Sequence, residues 1–99
     1  FSRFYGGVIK MTLVKNLNGT AGKTCSCPGS NSWLEHWERK TGREAGVCAA
    51  CCFSPAEVGG HVKKVGSDYS HHIVPLCKAC NKKTDAFFVY KEIVSADCD

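Results

Sequence analysis

Two pairs of cysteines stand at the spacing a soft, tetrahedral metal ion asks for: Cys48-Ala-Ala-Cys51 and Cys77-Lys-Ala-Cys80, with residues 52–76 between them. Two intervening residues let a turn or a helix start present both sulfurs to one ion, and zinc prefers tetrahedral sets of thiolates. The chemistry predicted is therefore structural zinc binding. Cys52 offers a second way to complete the first pair, so the expected ligands are Cys48, Cys51 or Cys52, Cys77 and Cys80. Of the eight cysteines, Cys25, Cys27 and Cys98 fall outside this pattern. A bond from Cys98 to Cys25 or Cys27 would tie the C-terminal end to a loop. The competing expectation is that all eight are oxidised into four disulfides, as small secreted domains often are.

The elements that must position these cysteines can be read from local patterns. Glu57 to Lys64 and Tyr69 to Pro75 read as two strands joined by a turn at Val65-Gly66-Ser67-Asp68. A short helix is expected after Leu76, holding Cys77, Cys80 and Asn81. Upstream, Val8 to Val14 reads as a strand with Ile9, Met11 and Leu13 on one face at period two. Asn16 to Gly29 is rich in Asn, Gly, Thr, Ser and Pro and reads as a loop around Cys25 and Cys27.

Ser32-Trp33-Leu34-Glu35 has capping-box spacing, and Gly42 suits a C-terminal cap, so a helix is predicted from Trp33 to Thr41. Trp33 and Trp37, four apart, share one face and are expected in the core, not as a stacking platform. His36 lies beside them and reads as a satisfied helix histidine. Phe87 to Val94 is apolar and β-rich, which predicts a last strand.

The stretch Gly59-Gly60-His61-Val62, followed by His72-Ile73-Val74-Pro75-Leu76-Cys77-Lys78-Ala79-Cys80-Asn81-Lys82-Lys83, resembles the HNH endonuclease family. That family folds as a ββα-metal, treble-clef unit, often with a structural zinc on two CxxC pairs. The resemblance spans residues 48–85, and Pro-Leu-Cys-x-x-Cys-Asn is its most specific piece. It implies that His61 occupies the place of a general base that activates water against a phosphodiester. It also implies that Asn81 lies near the position completing a divalent-metal site and that His72 stands where the family has Asn. Gly60 departs from the pattern, since an Asp or His ligand belongs there. Either His71, His72 or Asp68 then supplies the ligand, or the scaffold is kept without the chemistry.

The expected fold is a small α+β domain spanning residues 1–99. Its treble-clef or ββα-metal-like, zinc-stabilised core at 48–85 is joined by an N-terminal strand, a short Trp-containing helix and a C-terminal strand. Ninety-nine residues with 43% hydrophobic content suit one globular core that benefits from metal or disulfide support. The net charge of +4 mildly favours acidic partners such as nucleic acid. Lys63, Lys64, Lys78, Lys82 and Lys83 flank the cysteine core and would contact phosphates without reading sequence. The apolar runs are far below the roughly 20 residues that cross a bilayer. A chain beginning at Phe1 is expected to have been processed or trimmed, with any signal peptide already gone.

Three functional readings follow. One is a zinc-binding module, a degenerate HNH-like domain contacting nucleic acid or another acidic partner. Another is an active metal-dependent nuclease using His61 and Asn81. The third is a secreted, disulfide-linked extracellular or defence protein, in which the Asn18-Gly19-Thr20 sequon would be glycosylated. The first places the chain in a reducing compartment and the third outside the cell.

Overall fold

Alternating and β-branched residues around a Gly-containing turn make the central hairpin, and the rest of the sheet is built outward from it. The computed structural model describes residues 11–17, 32–66 and 71–97. In chain order these form β1 (Thr12–Asn16), α1 (Trp33–Thr41), β2 (Val58–Lys64), β3 (His72–Leu76), a single 3-10 turn (Cys80–Lys82), β4 (Phe87–Val89) and β5 (Val94–Ser95). The strands make one antiparallel sheet in the order β4-β1-β2-β3-β5. The small α+β class expected from the sequence is the one observed.

In the hairpin Val58 pairs with Leu76, Gly60 with Val74 and His61 with Ile73. Successive side chains of a strand point to opposite faces. One face therefore carries Val62, Val74 and Leu76, which pack with Val14, Phe87, Val89 and the buried Cys48, Cys77 and Cys80. The other carries His61 and Ile73 beneath α1, where Ile73 packs with Trp37, Ala45 and Val94. Each fully buried aliphatic contributes about 1.5–3 kcal/mol, and the buried cysteines belong to the first of these clusters. Ser67 and Asp68 of the expected turn lie outside the described residues.

The helix forms where its signals place it. Ser32 caps it by accepting from the Glu35 amide at 3.1 Å. Gly42 ends it at φ 71, a left-handed conformation glycine adopts without cost, and donates to the Glu38 carbonyl at 2.8 Å. Trp37 is buried, as expected, while Trp33 is half-buried at the cluster's edge. His36 is buried and satisfied, its Nε2 lying 2.9 Å from the Ser95 carbonyl oxygen.

The first turn of α1 approaches β2 closely because Gly59 has no side chain. A Cβ at Gly59 would stand 2.5 Å from the Trp33 carbonyl carbon and 2.7 Å from the Leu34 nitrogen. Both are backbone atoms, which cannot swing aside as a side-chain tip can. Gly59→Ala is accordingly expected to lift the helix and cost about 1–3 kcal/mol, the range for overpacking. Urea unfolding checks this, the midpoint falling with an unchanged slope.

Four expectations are corrected. Of the strand expected over Val8 to Val14, residues 8–10 lie outside the described ones; the described β1 runs past Val14 to Asn16 and buries the other face, Val14 being fully buried whereas Met11 is 55% exposed. Val14 pairs with Phe87 and adjoins Val62, and that packing fixes the parity. Ile9 and the segment with Cys25 and Cys27 lie outside the described residues. Asn16, expected to open a loop, ends β1 and donates through Nδ2 to the carbonyls of Cys80 at 3.1 Å and Lys83 at 3.0 Å.

The helix expected after Leu76 is only the 3-10 turn, with Cys77 ahead of it. The strand expected over Phe87 to Val94 is two short strands, β4 on β1 at one sheet edge and β5 on β3 at the other. The intervening backbone is bonded elsewhere. The Tyr90 amide donates to the Ala49 carbonyl, the Glu92 carbonyl accepts from Trp37 Nε1, and Lys91 Nζ reaches the carbonyls of Ala45 and Val47.

Candidate metal centre

The first cysteine pair sits on a tight loop. A bridge between Val47 and Pro55 closes it, and the Cys48 amide donates to the Ser54 carbonyl at 2.8 Å. Within the loop the Cys52 amide returns to the Cys48 carbonyl at 2.9 Å, and Cys52 itself takes φ 58 to reverse the chain. Two backbone amides are thereby aimed at sulfur: Ala50 N lies 3.4 Å from Cys48 Sγ and Ser54 N 3.4 Å from Cys51 Sγ. The loop is fastened to the hairpin by the Ala49 amide, which donates to the Pro75 carbonyl at 2.9 Å.

The second pair follows β3 directly. The Asn81 amide donates to the Cys77 carbonyl at 3.0 Å, and the Lys78 amide donates to Glu57 Oε2 at 3.3 Å. One turn therefore presents both Cys77 and Cys80 toward the loop.

The four sulfurs of Cys48, Cys51, Cys77 and Cys80 lie within 4.8 Å of one another, close enough to hold a metal ion. A tetrahedral ion with metal–sulfur bonds of about 2.3 Å sets sulfurs about 3.8 Å apart, so binding asks for at most a small contraction. Cys48, Cys77 and Cys80 are buried and Cys51 is exposed. Cys52 is not one of the four; it is exposed, its Sγ 3.8 Å from the Ala49 carbonyl oxygen. Of the two expected ways to complete the first pair, the loop brings Cys51 to the cluster. Cys25, Cys27 and Cys98 lie outside the described residues.

Electrostatics distinguish the thiols. The amides of Ser54 and then Phe53 lower the Cys51 pKa to about 6. Burial, and after it the neighbouring Cys77 and Cys48, push that of Cys80 up to about 12. A buried thiol beside two others resists ionisation unless a positive charge joins it, which a divalent cation supplies.

Of the positions singled out by the HNH resemblance, 60 and 81 lie side by side, while His61 faces the other way. A Cβ at Gly60 would run into the Leu76 side chain and stand 3.0 Å from Asn81 Oδ1. Asn81 is thus on the cysteine side of the hairpin, and a larger residue at position 60 would have to displace the Leu76 and Asn81 side chains. His61, next in the strand, points the opposite way. Its ring stands edge-on to Trp33 with centroids 4.8 Å apart, and its Nδ1 lies 2.5 Å from His71 Nε2. His72 pairs with Val62 and Ser95 in register, and Asp68 is outside the described residues. Among the described residues the four cysteines are the only cluster of three or more Cys, His, Asp or Glu positioned for a metal.

The supporting groups carry no signature in the sequence. The Ser54 and Ala50 amides follow from loop geometry alone, and Asn16 reaches its carbonyl partners across the whole sheet. The His61–His71 contact had a signal, since antiparallel strands facing across a turn bring such positions together.

The chain matches no protein-family model, and comparison with curated proteins and with solved structures found no match. Among the described residues no helix is long and apolar enough to cross a membrane.

Proposed function

We propose that this chain is a zinc-supported binding module, a degenerate HNH-like treble clef that has kept the scaffold without the nuclease chemistry and meets nucleic acid or another acidic partner. The observation that carries the reading is the convergence of four thiol sulfurs within 4.8 Å. All-sulfur donors favour zinc over magnesium, calcium or manganese, which take oxygen. Four protein ligands also close the coordination sphere, so the ion would hold the fold and leave no position for substrate.

The order of parts supports the treble-clef reading: a cysteine loop, a hairpin, then a second pair at the head of a helical turn. Against catalysis stand the crowded glycine at position 60 and the opposite orientations of His61 and Asn81. A base without a nearby ion leaves the charge developing on the leaving oxygen unneutralised.

Metal analysis with thiol counting on purified protein tests the module. One zinc per chain is expected, with the four ligand thiols free once the ion is stripped. Two disulfides among the same cysteines would overturn the reading in favour of the secreted, oxidised one. Plasmid nicking in magnesium, manganese or zinc is expected to show no turnover above background. Cleavage that disappears in His61→Ala would make the protein a nuclease.

A further inference from the structure

Helix α1 packs on β2, β3 and β5, so it covers only part of its side of the sheet. On the same side, β1 and β4 turn a different set of side chains outward. Phe87 and Val89 are buried toward the cysteines, so Phe88 between them faces away, directly opposite Leu13 on β1. Phe88 is 45% exposed, and Met11 and Tyr90, each two residues further along, are 55% and 39% exposed. One step across the sheet Lys15 and Lys63, both exposed, stand directly opposite each other in register.

That pairing is informative because like charges directly opposed across strands are destabilising. No carboxylate relieves it from within the strands, since β1, β2 and β4 contain no Asp or Glu. The face thus combines aromatic rings with a positive pair that no acidic residue of these strands offsets. A second copy docked by a two-fold axis would bring two lysine pairs together, because such an interface sets the same patch against itself. A polyanion with flat apolar groups meets both needs, since its phosphates answer the lysines and its bases lie on the rings.

We infer that the part of the sheet that α1 leaves open, at β1 and β4, binds single-stranded nucleic acid, with bases stacked on Phe88 and Tyr90 and the backbone held by Lys15 and Lys63. The inference rests on the acidic-partner reading above and assigns it a surface. A duplex cannot use the platform, because its bases are already stacked inside.

The test is fluorescence anisotropy with zinc-loaded full chain and three labelled probes: oligouridylate and oligothymidylate of about ten nucleotides, within the usual single-strand site size, and a duplex DNA of the same length. The single strands are expected to bind more tightly than the duplex, and a preference between RNA and DNA identifies the source. Phe88→Ala should weaken strand binding about 5- to 150-fold, the effect of losing one stacked base. Phe88→Trp should restore it, which a merely structural role would not predict. Lys15→Gln with Lys63→Gln should flatten the logarithmic salt dependence by about 0.7 for each phosphate no longer neutralised.

Equal binding by wild type and Phe88→Ala, with losses only on replacing Lys78, Lys82 and Lys83, would overturn this surface and leave the acidic-partner reading standing. Absence of binding to any probe would overturn both. Dimerisation abolished by Phe88→Ala in sedimentation would overturn the inference in favour of self-association.

Discussion

Cys80→Ser is expected to lose the metal and unfold the hairpin half of the chain, and chelation of the wild type is expected to do the same. Cys48, Cys77 and Cys80 are buried within the same cluster as Val62, Val74, Leu76, Phe87 and Val89. An ion at their centre would be an internal tie between the 47–55 loop, the end of β3 and the 3-10 turn. Structural zinc in small peptides contributes about 10–16 kcal/mol at neutral pH, against a total stability of about 5–15 kcal/mol for a typical domain. Losing it therefore abolishes the folded state instead of weakening it.

The ligands should not respond alike. Cys51 is exposed, and a water can reach the position its thiolate vacates, so Cys51→Ser is expected to bind zinc more weakly yet fold when zinc is in excess. Cys52→Ser should leave zinc content and melting temperature unchanged. Zinc stoichiometry and near-ultraviolet circular dichroism, which reports the packing of Trp37, measure both. Wild type that melts identically with and without chelator would rule out a folding role for the ion.

The parts of this structure that were legible in the sequence are those fixed by neighbours along the chain. The helix is bounded by Ser32 and Gly42, whose caps act within three or four residues. The hairpin is bounded by a turn, and the CxxC spacing brings each pair of sulfurs to one side of a local bend. What was not legible depends on partners far away. In Thr12-Leu13-Val14 apolar residues occupy both parities, and only Phe87 and Val62 decide that Val14 goes in. Phe87 to Val94 looks like one strand because nothing local interrupts it. The break comes from Trp37 and Ala49 taking its backbone groups.

The choice between Cys51 and Cys52 turned on a backbone reversal at Cys52, φ 58, a conformation that a non-glycine residue adopts only under constraint. The sides that Gly60 and His61 take follow from the pleat, since neighbours in a strand face opposite ways, and it is position 60 that shares a side with Asn81.

Trp37→Ala is expected to cost about 3–5 kcal/mol, the range for deleting a large aromatic from a core, and so to remove much of the stability the metal leaves in reserve. Trp37 is 1% exposed and packs with Ala45, Ile73 and Val94, the cluster that joins α1 to β3 and β5. Its Nε1 also donates to the Glu92 carbonyl at 2.7 Å. That bond holds the chain where it passes between β4 and β5, and its loss orphans a carbonyl at a cost of about 1–3 kcal/mol if water cannot reach it. Trp37→Phe, which keeps a ring and loses the donor, should fall between wild type and Trp37→Ala.

Trp33→Ala should cost less, although the sequence pattern makes the two tryptophans equivalent. Trp33 is half-buried, and its Nε1 is itself buried without a hydrogen-bond partner. Removing the side chain thus relieves one unsatisfied donor while forfeiting the edge contact with His61. Urea unfolding of the three variants, in saturating zinc so that metal loss does not intrude, measures the ranking. Equal losses for Trp33→Ala and Trp37→Ala would mean that the helix is held as firmly at its first turn, over Gly59, as at its centre. The Glu92 bond would then be dispensable to the crossing between β4 and β5.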